Sequence, residues 1–324
     1  MRHHESSGTG GAAAKALGRT AAILGLVLLA ATPGCKPKPP ASSAGRAGIK
    51  IGVSFQEMDN PYFVLMKQTI DEMAATIGAE ASYADAHHDV TKQINDIEDL
   101  IQKKINILLI NPTDTVAVEG VVRDAKRAGI VVVAVDAQAA GPIDCYVGSK
   151  NYDAGRLAGE FLGKCLGGQG KVAILDGIPV VPILERVRGF RDAIGHFPGI
   201  AIVTTQNGRQ ERPVALSVTE NMIQANPDLA GIFSVNDGGA LGALSAIESS
   251  RKPIVLVSVD GFSEAVAAIE KGGPFKATSA QFPRDEIRIA LGMALARYWG
   301  ANIPETVPVD VRLITQDNAR GFSW

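Results

Sequence analysis

Four apolar runs in this 324-residue sequence end on a side chain built for hydrogen bonding. Ile107–Ile110 runs into Asn111, Val131–Val135 into Asp136, residues 232–235 into Asn236, and residues 254–259 into Asp260. Carboxylates accept from hydroxyls, and amides both donate and accept, so the set suits a compound dense in hydroxyl groups. Each residue also has a plainer role open to it. Asn111 precedes Pro112 and suits a turn, Asp136 a loop cap, Asn236 with Asp237 a helix cap, and Asp260-Gly261 is a common turn pair. Four such residues at equivalent places in a repeating pattern favour a shared ligand over four separate caps.

Patterns for catalysis are missing. Gly167-Gly168-Gln169-Gly170 follows a helical stretch rather than a strand, which makes it a cap and turn, not a dinucleotide loop. There is no P-loop and no G-x-S-x-G elbow. His87-His88-Asp89 sits in a strand-to-helix loop, where adjacent histidines point apart, so no metal centre is expected there. Farther along, only His196 remains as an imidazole. The sequence reads as a binder, not an enzyme, and implies no cofactor.

Short apolar runs that alternate with longer amphipathic stretches are the mark of buried parallel strands in an α/β fold. Ligands of such sheets sit outside the carboxyl ends of the strands. The pattern predicts strands at 49–54, 79–84, 107–110, 131–135 and 145–147, with helices at 61–77, 91–104 and 113–128. Phe63, Met66, Ile70, Met73 and Ile77 recur three or four apart, and Asn60-Pro61 is a natural helix start. After a helix at 151–166 a second set follows, with strands at 171–175, 200–205, 232–235, 254–259 and 277–280. Its helices are expected near 183–193, 212–226, 239–249 and 263–271. A long helix at 283–299 and a last strand pair around 307–314 complete the chain. The expected fold class is therefore α/β, with two doubly wound parallel-sheet lobes.

The residue balance fits a soluble globular protein: 46% hydrophobic, 20% charged and a formal net charge of −2. That charge offers no footprint for nucleic acid. Arg2, Lys15 and Arg19 precede an apolar run at 21–31 that is too short to span a bilayer but suits a secretory signal. The run ends in Thr32-Pro33-Gly34-Cys35, which resembles a bacterial lipoprotein box with Cys35 as the lipidated first mature residue; an ordinary signal peptide is the alternative. Residues 1–35 are thus read as signal and lipobox, and the Lys/Pro-rich residues 36–48 as a linker. The remaining cysteines open a strand (Cys145) and close the next helix (Cys165). Their spacing allows a disulfide of about 3 kcal/mol, or two buried free thiols.

A family resemblance lies on the same positions. GVSFQEMDNPYF at 52–63, LLINPTD at 108–114, ERVRGF at 185–190, FSVNDGGALGAL at 233–244, VSVDG at 257–261 and ATSAQFP at 277–283 resemble, in order and spacing, the type I periplasmic sugar-binding proteins, the ribose-binding group in particular. The resemblance implies two lobes joined by a three-segment hinge, crossing near Ser149-Lys150, Gln281-Phe282 and Asp310-Val311. Lobe 1 would comprise 49–149 and 282–310, and lobe 2 would comprise 150–281 and 311–324. It implies ligand contacts from Asn60, Asn111 and Asp136 in the first lobe, and from Arg186, Asn236, Asp260 and Gln281 in the second lobe and seam. Tyr62 and Phe63 match an aromatic pair that covers one face of a sugar ring.

The sequence also departs from the ribose pattern. Ala137 stands where an arginine follows the aspartate, Gln56 replaces a small polar residue, Val259 replaces an aromatic, and another aromatic near Gln210 is missing. Less stacking and one fewer guanidinium point to another pentose, a hexose, a cyclitol or an open-chain polyol; Arg186 would also suit a carboxylated sugar. The implied partners are the small sugar or polyol, the permease subunits of an ABC transporter, and a membrane reached through the lipid on Cys35. The implied location is the cell envelope. A sugar-sensing lipoprotein that signals to a chemoreceptor or histidine kinase is the alternative. Transcription-regulator effector domains share the fold but place a helix-turn-helix where this sequence has its signal and tether.

Overall fold

The computed structural model describes residues 48–324; the signal run, Cys35 and the tether lie outside the described residues. The chain forms two α/β lobes, each built on a six-stranded sheet. The first holds β1 (Lys50–Phe55), β2 (Glu80–Asp85), β3 (Ile107–Ile110), β4 (Val131–Val135) and β5 (Cys145–Ser149). The second holds β6 (Gln169–Asp176), β7 (Gly199–Asn207), β8 (Leu229–Ser234), β9 (Val255–Asp260) and β10 (Phe275–Ala280). Each gains a sixth strand late in the chain, β11 (Thr306–Val309) and β12 (Arg312–Thr315) respectively. The orders are β11-β5-β4-β3-β1-β2 and β12-β10-β9-β8-β6-β7. All pairings are parallel except β10 with β12.

Both faces of each sheet are covered, which is why the central strands are apolar throughout. Ile107 and Leu109 pack toward α1 (Pro61–Ile77) and α9 (Pro283–Tyr298). Leu108 and Ile110 pack toward α2 (Val90–Gln102) and α3 (Glu119–Arg127). In the second lobe, Ile174, Phe233 and Val257 meet α4 (Asn151–Cys165) and α5 (Val181–Gly195). The opposite face carries α6 (Arg212–Ala225), α7 (Asp237–Ser250) and α8 (Ser263–Lys271). Strand period two thus feeds two separate cores in each lobe.

Two expectations need correction, and one alternative left open is decided, with Cys165 exposed instead of buried. Helix α3 begins at Glu119, not at 113, because the Asp114 carboxylate accepts from the amides of Val116 and Ala117 and winds that stretch into turns. The last two strands do not pair with one another: β11 lies beside β5 and β12 beside β10, with only Asp310 and Val311 between them. Cys145 and Cys165 are free thiols. Cys145 is buried in the first sheet, whereas α4 packs on β9 and β10 of the second sheet and carries Cys165 there, exposed. The helix leaves for the other lobe instead of folding back beside its strand.

Candidate functional site

Asn111, Asp136, Asn236 and Asp260 all stand at the carboxyl ends of strands that face the gap between the lobes, and local backbone chemistry fixes each one. Asp136 follows β4 in a left-handed conformation (φ 61°), a sparsely populated region outside glycine. Its carbonyl accepts from the Tyr146 hydroxyl at 2.9 Å, and its Oδ2 accepts from Asn111 Nδ2 at 3.0 Å. Asp260, the last residue of β9, is held at φ 134°. Its Oδ1 accepts from Arg186 Nη1 (3.1 Å) and Gln281 Nε2 (2.9 Å), and its Oδ2 from the Asp237 amide (3.1 Å).

Arg186 reaches this point from α5. Its Nε donates to Asn151 Oδ1 at 2.8 Å and its Nη1 to the Val235 carbonyl at 2.8 Å as well as to Asp260. Among the described residues its Nη2 makes no hydrogen bond, so its remaining donors are free for a ligand. Since Asp260 already neutralises the guanidinium, a carboxylated sugar loses its main attraction here.

One small cavity of about 30 Å3 collects Gln56, Asn60, Tyr62, Phe63 and Asp136 from the first lobe with Arg186, Asn236, Asp260 and Gln281 from the second lobe and seam. Two acceptors in its wall are buried without a partner, Gln56 Oε1 and Gln281 Oε1, while the Tyr62 hydroxyl faces the buried Glu286 carboxyl. Buried polar atoms in native proteins are almost always paired. Gln56 from the first lobe and Gln281 from the seam both line this one cavity, where hydroxyl donors of a ligand would satisfy them.

Asn111 is the sequence-predicted residue that does not line this cavity. It lies behind Asp136, with its Oδ1 accepting from the Gln56 amide at 3.3 Å and its Nδ2 shared between Asp136 and the Val135 carbonyl. Asn60 and Asn236 serve as helix caps too, accepting from the amides of Tyr62 and Gly239 at 3.0 Å each. Their Nδ2 groups turn to Glu57 (3.1 Å) and to the Gln210 carbonyl (3.4 Å). For these two the plain capping role and the cavity role coexist.

Sequence reasoning missed the aliphatic wall of Val180, Pro182 and Ile183, which stands with Ala137 and Gln210 around the same cavity. Ile183 precedes Arg186 by three positions on one helix, so their shared face was a usable signal. It also missed Gln93, fully buried on α2. Gln93 Nε2 donates to Ser54 Oγ (3.1 Å) and to the Asn111 carbonyl (2.9 Å), and its Oε1 accepts from the Thr113 amide (2.8 Å). That side chain shapes the turn from which Asn111 supports Asp136.

Burial dominates the electrostatics. It pushes Asp136 and Asp260 up to about 6, against the pull of the Arg186 charge on both. Burial likewise raises Asp237 to about 7, although Ser258, Thr278 and the Phe262 amide all bond its carboxyl. Glu286 on α9 is raised to about 8 by burial and then by Asp136; it accepts from the Ser149 hydroxyl where the chain leaves the first sheet. At the rim, His87 and His88 turn to different carboxylates, Asp85 at 3.3 Å and Glu57 at 3.1 Å. Glu57, Asp59 and His88 bring one atom each within 4.8 Å of one another. Glu57 and His88 already face each other there at 3.1 Å.

Comparison with known proteins agrees with this geometry. Residues 51–300 match the family described as periplasmic binding protein domain. The ribose import binding protein RbsB of Bacillus subtilis is 36% identical over 300 residues, 90% of this chain and 96% of that one. A Mycobacterium smegmatis ABC transporter solute-binding protein with bound glycerol superposes with a TM-score of 0.81 at 35% identity, over 84% of this chain and 96% of that one. An Actinobacillus succinogenes periplasmic solute-binding protein with bound D-allose gives a TM-score of 0.80 at 28% identity, over 85% and 100%. The chain belongs to the type I periplasmic sugar-binding proteins of ABC transporters.

Proposed function

We propose that the protein is an extracytoplasmic lipoprotein, anchored through Cys35, that captures a monosaccharide or polyol between its lobes and delivers it to an ABC permease. The observation that carries the reading is the pair of unpartnered buried acceptors on Gln56 and Gln281, set beside Asp136 and an Arg186 that uses only its Nε and Nη1 on the protein. Hydroxyls of a ligand complete that set. Charge-assisted bonds to the two aspartates and the arginine contribute about 1.5–3 kcal/mol each. Tyr62 and Phe63 pack on C–H faces from one side, and Val180, Pro182 and Ile183 from the other.

These groups come from both lobes, so a solute binds the closed arrangement better than the open one, and this difference drives closure. The three passages between the sheets act as the hinge. A cavity of about 30 Å3 is narrow for a sugar ring, so entry requires the lobes to part. The relatives' printed ligands, ribose, glycerol and D-allose, fit the same chemical class. Ala137 and Val259 set this chain apart from the ribose pattern and favour another pentose, a hexose, a cyclitol or a polyol.

A thermal-shift screen of the purified protein against D-ribose, D-allose, myo-inositol, xylitol and glycerol tests the reading. A ligand at about 100 times its dissociation constant adds about 2.7 kcal/mol to stability, so a binder raises Tm clearly. No shift with any monosaccharide or polyol would refute it. Palmitate labelling that persists in Cys35→Ser would refute the anchor.

A further inference from the structure

The sequence has two tryptophans. Trp299, at the end of α9, is largely exposed. Trp324 lies against the cleft. Its Nε1 donates to the Asp260 carbonyl at 3.1 Å, an oxygen that also accepts from the Gln281 amide at 2.9 Å. Its ring meets Phe262 edge-on, with centroids 5.4 Å apart, and Tyr62 edge-on at 5.9 Å. Tyr62 and Asp260 belong to opposite lobes, so one indole touches cavity residues of both, without lining the cavity itself.

The turn beneath the indole is strained. Asp260 has φ 134° and Gly261 φ 90°. A Cβ on Gly261 would come within 3.0 Å of the indole nitrogen and 2.7 Å of Ala280 Cβ. From the other side the buried Asp237 carboxylate accepts from the amides of Gly261 (2.8 Å) and Phe262 (2.7 Å). Backbone in such regions persists only where its surroundings over-determine it. Asp237 and Trp324 are clamps that do so here, together with Thr278 Oγ1, which accepts from the Gly261 amide at 3.3 Å, and the Gln281 amide on the Asp260 carbonyl.

We infer that Trp324 is a positioning residue for solute capture: it fixes the strained Asp260 turn and backs the Tyr62 ring, and so sets the distance between the carboxylate and the aromatic that would hold the solute. This rests on the reading of the cleft as a sugar or polyol site. A single side chain that contacts both lobes also favours the closed arrangement over the open one.

The test uses the full chain with Trp324→Ala and Trp324→Phe. Hydrogen exchange at the Gly261 and Phe262 amides needs no ligand, and calorimetry uses D-ribose, D-allose, xylitol and myo-inositol. In Trp324→Ala both amides exchange faster, and affinity for the probe that wild type binds best falls about tenfold, the scale of a lost hydrogen bond with its packing. Trp324→Phe keeps the ring contacts and falls less, while Tm stays close to wild type in both. Unchanged exchange in Trp324→Ala, or unchanged affinity, overturns the inference. If wild type binds none of the four probes, the solute class is wrong, and the exchange result alone still decides the role of Trp324.

Discussion

Asn111 Nδ2 donates to Asp136 Oδ2 at 3.0 Å, one strand-end residue standing directly behind another. The first lobe therefore lines this cavity with one carboxylate, Asp136, whose orientation is set by an amide that does not line it. Asp260 has its own supports in Arg186, Gln281 and the Asp237 amide. The two lobes present matched groups by unrelated means.

Removing either carboxylate costs binding. Asp136→Ala and Asp260→Ala each weaken solute affinity by about tenfold or more, the scale of one charge-assisted bond. Calorimetry measures this, and circular dichroism checks that the fold persists. Asp260→Ala also lowers Tm, because it strips the buried Arg186 of its partner.

Support from behind is separable from contact. Asn111→Ala weakens binding less than Asp136→Ala, since only the orientation of the carboxylate is lost. Gln93→Leu breaks three hydrogen bonds of about 1 kcal/mol each and lowers stability by about 2–4 kcal/mol. Urea unfolding with an unchanged m-value is the check.

Ala137 sets the size of the site. Its side chain lines a cavity of about 30 Å3. Ala137→Leu fills that space and abolishes the thermal shift given by the wild-type ligand, while the melting temperature without ligand stays near wild type. A retained shift would place the solute elsewhere.

The pH dependence has two opposed parts. Asp136 and Asp260 are raised to about 6, Asp237 to about 7 and Glu286 to about 8. Each of these acids binds its proton more tightly folded than unfolded. The associated stability is full below the unfolded carboxyl range and is lost as pH rises through about 6 to 8. The ligand-free Tm therefore falls from about pH 5 to about pH 8, and Glu286→Gln flattens the upper part of that slope. Solute affinity runs the other way and weakens below about pH 6, where the two site aspartates protonate and lose acceptor strength. Paired scans by calorimetry with and without ligand separate the two.

Cys145 and Cys165 stay unlinked. Mass spectrometry after alkylation under denaturing, non-reducing conditions finds both modified; a linked peptide pair would contradict the assignment of α4 to the second lobe.

Legibility in the sequence followed the range of the interaction. Apolar runs and helix starts report on neighbours a few residues away, so nearly every strand and helix could be placed from them. The residues at strand ends could be found too, because a parallel sheet puts all carboxyl ends on one side. Roles that depend on a third dimension could not. Nothing local tells Asn111 apart from Asp136 as support and contact, nor brings Gln93 from a helix beneath them. Helix α3 was misplaced because the Asp114 turn competes with a helix that propensity alone would extend. The choice between a disulfide and free thiols stayed open because helix length alone does not say which sheet the helix packs on.

Two residues separate β11 from β12, yet those strands belong to different sheets. With the passages after Ser149 and after Ala280, the lobes are strapped together at three points, and Lys150 meets Asp310 at 2.5 Å between two of them. Straps this short tolerate swinging about an axis through themselves but resist sliding and shear. Opening is then a movement along one coordinate, and a single pair of spectroscopic labels across the mouth reads its whole course.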